Sequence, residues 1–382
     1  MRFRFFLSAP QGDIELGPED LAQPFLVSPT EKHPFLCLKD YFGALQKFIL
    51  ADEGKLLQAA LTGRNLHLSG ISEILVCSEK HGAFYHIASI VPVGIEKKVK
   101  LAVITALADS ARSSLKNEFL LMQQLAAQNP DFLPELYCRE SIIWPTDSGT
   151  AEFYMVLGEW LTGFHEWHLS YNPAEKKQQL QLWDYEGGYR FLSEPECHEV
   201  LRQAAYILTC YYDQASFSQI YPWHHGAGDF VVKAEAGVIL VKLITVRQYE
   251  PLVYFEKAEE HDRLIGLIQF LLNLSLRVRL DRVDGTGAPG WFHDFAVNAA
   301  VEGFFSGLDA VSRTRGMSYG PLNELLEILR SFSAQEICYM YASLLEIYAD
   351  EDQEDYGLIL EKLAEHATEL QNALQKFSLQ NS

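Results

Sequence analysis

The chain has 382 residues and 48% hydrophobic content, enough to bury one large core or two smaller ones. Its formal net charge of −20 sets it against nucleic-acid backbones and anionic membrane faces, so neither a nucleic acid nor a membrane is expected as a partner. Cys37, Cys77, Cys138, Cys197, Cys210 and Cys338 are scattered without a C-x-x-C pair, which argues against a zinc or disulfide framework and for reduced thiols in a cytoplasmic protein.

The opening MRFRFFL reads as a strand and lacks the apolar length of a signal peptide; no later apolar stretch reaches membrane-spanning length without a charged or strongly polar residue. Pro24, Pro29 and Pro34 suggest an extended approach to a helix over 38–61, where Leu45, Phe48, Ile49, Leu56, Leu57, Ala60 and Leu61 recur at helical spacing. From Ile71 the texture changes. Two apolar runs flank the turn Glu79–Gly82, predicting a hairpin, and Val99–Ala108 predicts a third strand. A helix over 113–128 carries Leu115, Phe119, Met122 and Leu125 on one face, and Leu136–Ile143 and Glu152–Leu157 read as two more strands. Beyond Gly163 the pattern is mainly helical, with 175–188 a polar insertion. Helices are expected over 199–212, 261–279, 297–305, 322–332, 334–348 and 356–377.

Within that helical part, Asp229–Lys233 and Val238–Ile244 are short apolar runs joined by Ala234-Glu235-Ala236-Gly237, which predicts a second hairpin. The strings AVIT (Ala102–Thr105), EFYMVLGEWLTG (Glu152–Gly163) and IYPWHHGAGDFVVKAEAGVILVKLITVR (Ile220–Arg247) follow one another in a telling order. In that order, from about Ile71 to Phe305, the chain resembles the protein-kinase-like fold, closest to aminoglycoside phosphotransferase-type kinases.

The resemblance implies an α+β, two-lobed fold: residues 1–70 an N-terminal extension, 71–160 a small antiparallel sheet lobe with one helix, and 161–382 a larger helical lobe. It also implies a degenerate site. Thr105 stands where V-A-I-K carries its phosphate-gripping Lys, and Glu118, thirteen residues on, stands as that Lys's partner. Glu159 and Trp160 match the hinge that holds adenine. His224 falls at the proton-accepting Asp, Asp229 at the metal-binding Asn, and Thr245 at the second metal-binding Asp. Gly82 alone stands for a glycine-rich phosphate loop. Thr105 and Thr245 are expected to point into one open cleft.

The expected reading is a catalytically inactive kinase-like protein, a binding or regulatory scaffold with a protein partner and no cofactor beyond weakly held nucleotide. The alternative is an atypical ATP-dependent small-molecule phosphotransferase using Asp229 and a metal ligand not located in the sequence. Other features read as structural. His165 and His168, placed three apart on a helix, and His224–His225 lack the convergent pattern of a zinc site. The acidic run Asp350–Asp355 reads as a solvated helix junction, LRVRLDR (Leu276–Arg282) as a helix end decorated with Arg, and GTGAPG (Gly285–Gly290) as a flexible loop.

Overall fold

The computed structural model of the chain describes all residues except 10, 28–30, 82–84, 148, 185–186, 224–227, 256–259, 317–319, 352 and 380–382. It is a mixed α+β protein of two compact units, Met1–Pro130 with Pro134–Thr162, and Asp131–Leu133 with Gly163–Ser382.

In the first unit the chain runs β1 (Arg2–Leu7), β2 (Ile14–Glu15), β3 (Pro24–Leu26), β4 (Lys32–Cys37), α1 (Leu38–Ile49), α2 (Ala51–Thr62), β5 (Glu73–His81), β6 (His86–Val93), β7 (Leu101–Ala106), α3 (Asp109–Ala126), β8 (Leu136–Thr146) and β9 (Gly149–Glu159). The hairpin, strand, helix and two strands expected from Ile71 onward are all present. They build one sheet of order β2-β1-β5-β6-β7-β9-β8. Its pairs are antiparallel apart from β1–β5, which is parallel with Phe3 opposite Ile74 and Phe5 opposite Val76. Residues 1–70 are therefore integral to the sheet unit and not an appendage to it.

Alternation along the strands gives the sheet two faces. One carries Ile74, Val76, Ala88, Ile90, Leu101, Val103, Met155 and Leu157, and it shares a core with Tyr41, Phe42, Leu45 and Phe48 of α1 and Leu57, Ala60 and Leu61 of α2. The other carries Ile104, Ala106, Tyr154 and Val156 and packs against Leu115 and Phe119 of α3. Helix α1 starts at a carboxylate cap, Asp40 Oδ2 accepting the Cys37 N–H at 2.9 Å. The same carboxylate accepts Trp144 Nε1–H at 3.1 Å. The single helix expected over 38–61 is two: Asp52, Glu53 and Gly54 sit at φ 50°, 58° and 82°, a left-handed run that helical spacing alone does not reveal.

The second unit contains β10 (Glu166–Asn172), β11 (Lys177–Trp183), β12 (Arg190–Phe191), α4 (Glu194–Cys210), β13 (Ser218–Ile220), β14 (Phe230–Glu235), β15 (Val238–Leu243), β16 (Tyr249–Pro251), α5 (Glu260–Arg277), β17 (Leu280–Arg282), β18 (Pro289–Trp291), α6 (Phe295–Arg315), α7 (Leu322–Ser331), α8 (Ala334–Met340), α9 (Ala342–Glu351) and α10 (Gln353–Lys376). Its start is a three-stranded sheet, β10-β11-β12, where a polar insertion was expected. In β11 only Leu180 and Leu182 are buried, an alternation of two residues that is easily lost in a polar stretch. His165 and His168 accordingly lie on extended backbone, His165 bridging to Val232 and His168 pairing with Gln181.

Helices α4 and α6 cross closely because α6 presents Gly303 and Gly307. A Cβ at Gly303 would fall 2.7 Å from Ala205 Cβ and 2.9 Å from Tyr206 N. The α4 residue Gln203 completes the β14–β15 hairpin: its amide donates to the Ile239 carbonyl at 2.8 Å and accepts from Val241 N–H at 2.9 Å, standing in for a further strand at an otherwise open edge. The arginines of LRVRLDR are not surface decoration. Arg277 and Arg279 are 1% and 2% exposed, Arg277 against the rings of Tyr221 and Tyr348, and Arg279 over Trp291 and ion-paired with Glu369. Arg282 binds Glu354 and Asp355 at 2.8 and 3.0 Å, so the acidic run turns Asp355 inward to hold α10 while Glu354 meets the same arginine from the exposed side.

Candidate functional site

The positions singled out by sequence fall four in the first unit (Thr105, Glu118, Glu159, Trp160) and two in the second (Asp229, Thr245). His224 and Gly82 lie outside the described residues.

Thr105 sits on β7 between His86 of β6 and Met155 of β9. It is fully buried, and strand alternation puts it on the Leu101–Val103 face beneath α1. There the Tyr41 hydroxyl is its polar neighbour, although neither hydroxyl makes a well-formed hydrogen bond. Burial pushes the Tyr41 phenol far up, and the Thr105 hydroxyl offsets only part of that rise. The His86 ring packs against Phe25 and Tyr41. The expectation that Thr105 points into an open cleft is thus corrected: it is a core residue. Glu118, 5% exposed, rides on α3, which packs its Leu115 and Phe119 on the opposite face of the sheet. The two positions are not brought together.

The hinge-like residues are engaged within their own unit. Glu159 is tied to Glu135 twice, its N–H donating to the Glu135 carbonyl at 2.7 Å and its carboxylate accepting the Glu135 N–H at 3.2 Å. The Lys100 ammonium lies 3.8 Å above the Trp160 ring and is itself paired with Glu79 at 2.8 Å. A planar base would have to displace that cation from the indole face.

In the second unit the predicted hairpin forms, with Phe230 opposite Leu243 and Val231 opposite Lys242. Ile244 N–H donates to the Asp229 carbonyl at 2.8 Å, which extends the ladder by one step and places half-buried Thr245 just past the strand. Arg247, two residues further, folds back onto Asp229. Its guanidinium donates to both carboxylate oxygens, at 2.5 and 2.6 Å, and the carboxylate is buried while the arginine keeps a third of its surface in solvent. This bidentate pair neutralises the one acidic group that the sequence offered as a metal ligand. Arg247 was the residue missed. The available signal was chemical: an Asp at the mouth of an apolar hairpin needs a cation, and VKLITVR supplies one four residues past the strand's last residue, Leu243.

Among the described residues, no group of three or more His, Cys, Asp or Glu side chains converges as metal ligands would. His165 pairs with Asp184 at 3.7 Å, and His168 lies between Glu166 and Asp281. Among the described residues, no helix is long and apolar enough to cross a membrane. Compared with known proteins, the sequence matches no family model and no curated relative.

Proposed function

We propose that this chain is a catalytically inactive protein of two-lobed, kinase-like architecture that works in the cytoplasm as a binding or regulatory scaffold for a protein partner. The observation that carries this reading is the Asp229–Arg247 pair. Phosphoryl transfer relies on metal ions and cations gathered around the phosphates, and the metal ions need bare carboxylate oxygens. Here the candidate carboxylate is already saturated by a guanidinium, and the two positions that would carry a lysine and a second carboxylate are threonines, one of them buried in a core. The same pair weighs against a phosphotransferase using Asp229, since metal binding would first have to break it. The element order from β5 to β9 and the β14–β15 hairpin support the kinase-like part of the reading.

The test is a thermal-shift titration with ATP, with and without Mg²⁺. The expected result is no change in melting midpoint at millimolar MgATP. A rise of several degrees, as a micromolar Kd would give by mass action, would overturn the proposal.

A further inference from the structure

The strongest unassigned cluster surrounds His168, in the second unit. Strand β10 has β11 on one side. Along its other edge runs the segment from Leu280 to Trp291, which contains the GTGAPG loop. One side chain fastens the two together: Asp281 accepts the Leu169 N–H at 2.6 Å through Oδ2 and the Arg282 N–H at 2.7 Å through Oδ1. The His168 ring lies against that carboxylate. Its Nδ1 is 4.0 Å from Asp281 Oδ1 and its Nε2 is 3.9 Å from Glu166 Oε2, so carboxylates flank both nitrogens at ion-contact range, beyond hydrogen-bond length. The histidine is 3% exposed and Asp281 is 2% exposed.

Two uncharged groups also border the ring. The Trp183 ring of β11 stands at 63° to the imidazole with centroids 4.4 Å apart. From the loop comes Gly285, at φ +78°, where an added Cβ would lie 3.1 Å from His168 Nε2. Only glycine lets the backbone close over the ring in this way. Nearby charges are spent elsewhere: Asp184 on His165 at 3.7 Å, and Arg282 on Glu354 and Asp355. Among the described residues, His168 is thus the cation that faces the buried Asp281.

We propose that Asp281, His168 and Glu166 form a protonation-controlled latch, holding β10 to the Leu280–Trp291 segment while the imidazole is charged and loosening it when the proton leaves. Burial by itself would lower the His168 pKa, but Asp281 and then Glu166 outweigh it and hold it above the usual 6.5. A histidine raised in the folded state contributes stability that is complete below pH 6.5 and lost as pH climbs through the raised value. Neutral His168 leaves the Asp281 carboxylate buried beside an uncharged ring, so the attachment it makes to Leu169 is the part that weakens.

The experiment is NMR on the full chain from pH 5.5 to 9. It follows the His168 ring protons and the exchange of the Leu169 amide, corrected for its intrinsic pH dependence. His168 should titrate above 6.5, and Leu169 opening should grow about tenfold for each pH unit of that elevation. Glu166→Gln should move the His168 midpoint down while leaving the Leu169–Asp281 bond in place at low pH. A midpoint at or below 6.5, or a Leu169 amide whose corrected protection is flat across the range, would overturn the latch. His168→Gln should give a flat profile; if that variant does not fold, the wild-type titration still decides.

Discussion

Arg247 closes on Asp229 with two parallel N–H···O bonds, across the open end of the β14–β15 hairpin. The geometry converts a position that a metal could have used into an internal ion pair. It also makes the pair structural, because the carboxylate has almost no contact with solvent. Removing the cation strands a buried charge, whereas removing both charges together does not.

Arg247→Gln should therefore destabilise the second unit by roughly 3 kcal/mol, at the low end for a buried pair because the arginine end reaches water. The double variant Asp229→Asn with Arg247→Gln should recover at least half of that loss. Urea denaturation of the two variants measures both. Equal losses in the single and double variants would mean that the pair is not the source of the stability.

Position 105 tests which face of β7 bears the threonine. Thr105→Lys places an ammonium beneath α1 among Tyr41, His86 and the Leu101–Val103 core, and should cost at least about 3 kcal/mol or abolish folding. Thr105→Val keeps the shape and removes a hydroxyl that has no well-formed hydrogen bond, so it should stay within about 1 kcal/mol of wild type. Melting curves of the pair suffice. A stable, soluble lysine variant would mean that the side chain has a route to solvent.

His366 predicts an acid limit. It is buried in α10 between Arg279 Nη1, 3.4 Å from its Nδ1, and the Tyr341 hydroxyl, 2.7 Å from its Nε2. Arginine has only protons to offer, so Nδ1 accepts and Nε2 carries the hydrogen. Burial first, and the Arg279 charge second, depress its pKa to about 3. The unfolded chain then binds a proton between pH 6.5 and 3 that the folded chain refuses. Stability is complete above pH 6.5 and falls on acidification, by at most about 1.4 kcal/mol per pH unit from this group. Urea midpoints at pH 7, 6 and 5 should show the decline, and His366→Gln should remove this residue's share of the slope.

Local pattern in the sequence determined local structure. The runs on either side of Ala234–Gly237 are short, apolar and joined by turn residues, and they pair as a hairpin; α1 repeats its apolar residues every three or four positions and buries that stripe. The alternation in β11 covers only Leu180 and Leu182 within a polar stretch, too short to stand out, and left-handed backbone inside a helical pattern, as at Asp52–Gly54, carries no periodic signal at all. The composition fixed the acidity and the absence of paired cysteines. Tertiary structure decided what the candidate residues do. Alternation says that Thr105 and Ile104 face opposite ways, but only the placement of α1 and α3 on the two faces says which of them is covered by what. Likewise Asp229 reads as an acid at a hairpin mouth until the chain returns with Arg247. Side-chain chemistry is written residue by residue, whereas burial and partners arise from segments far apart in the chain that fold together, and those set whether a carboxylate is a ligand or half of an ion pair.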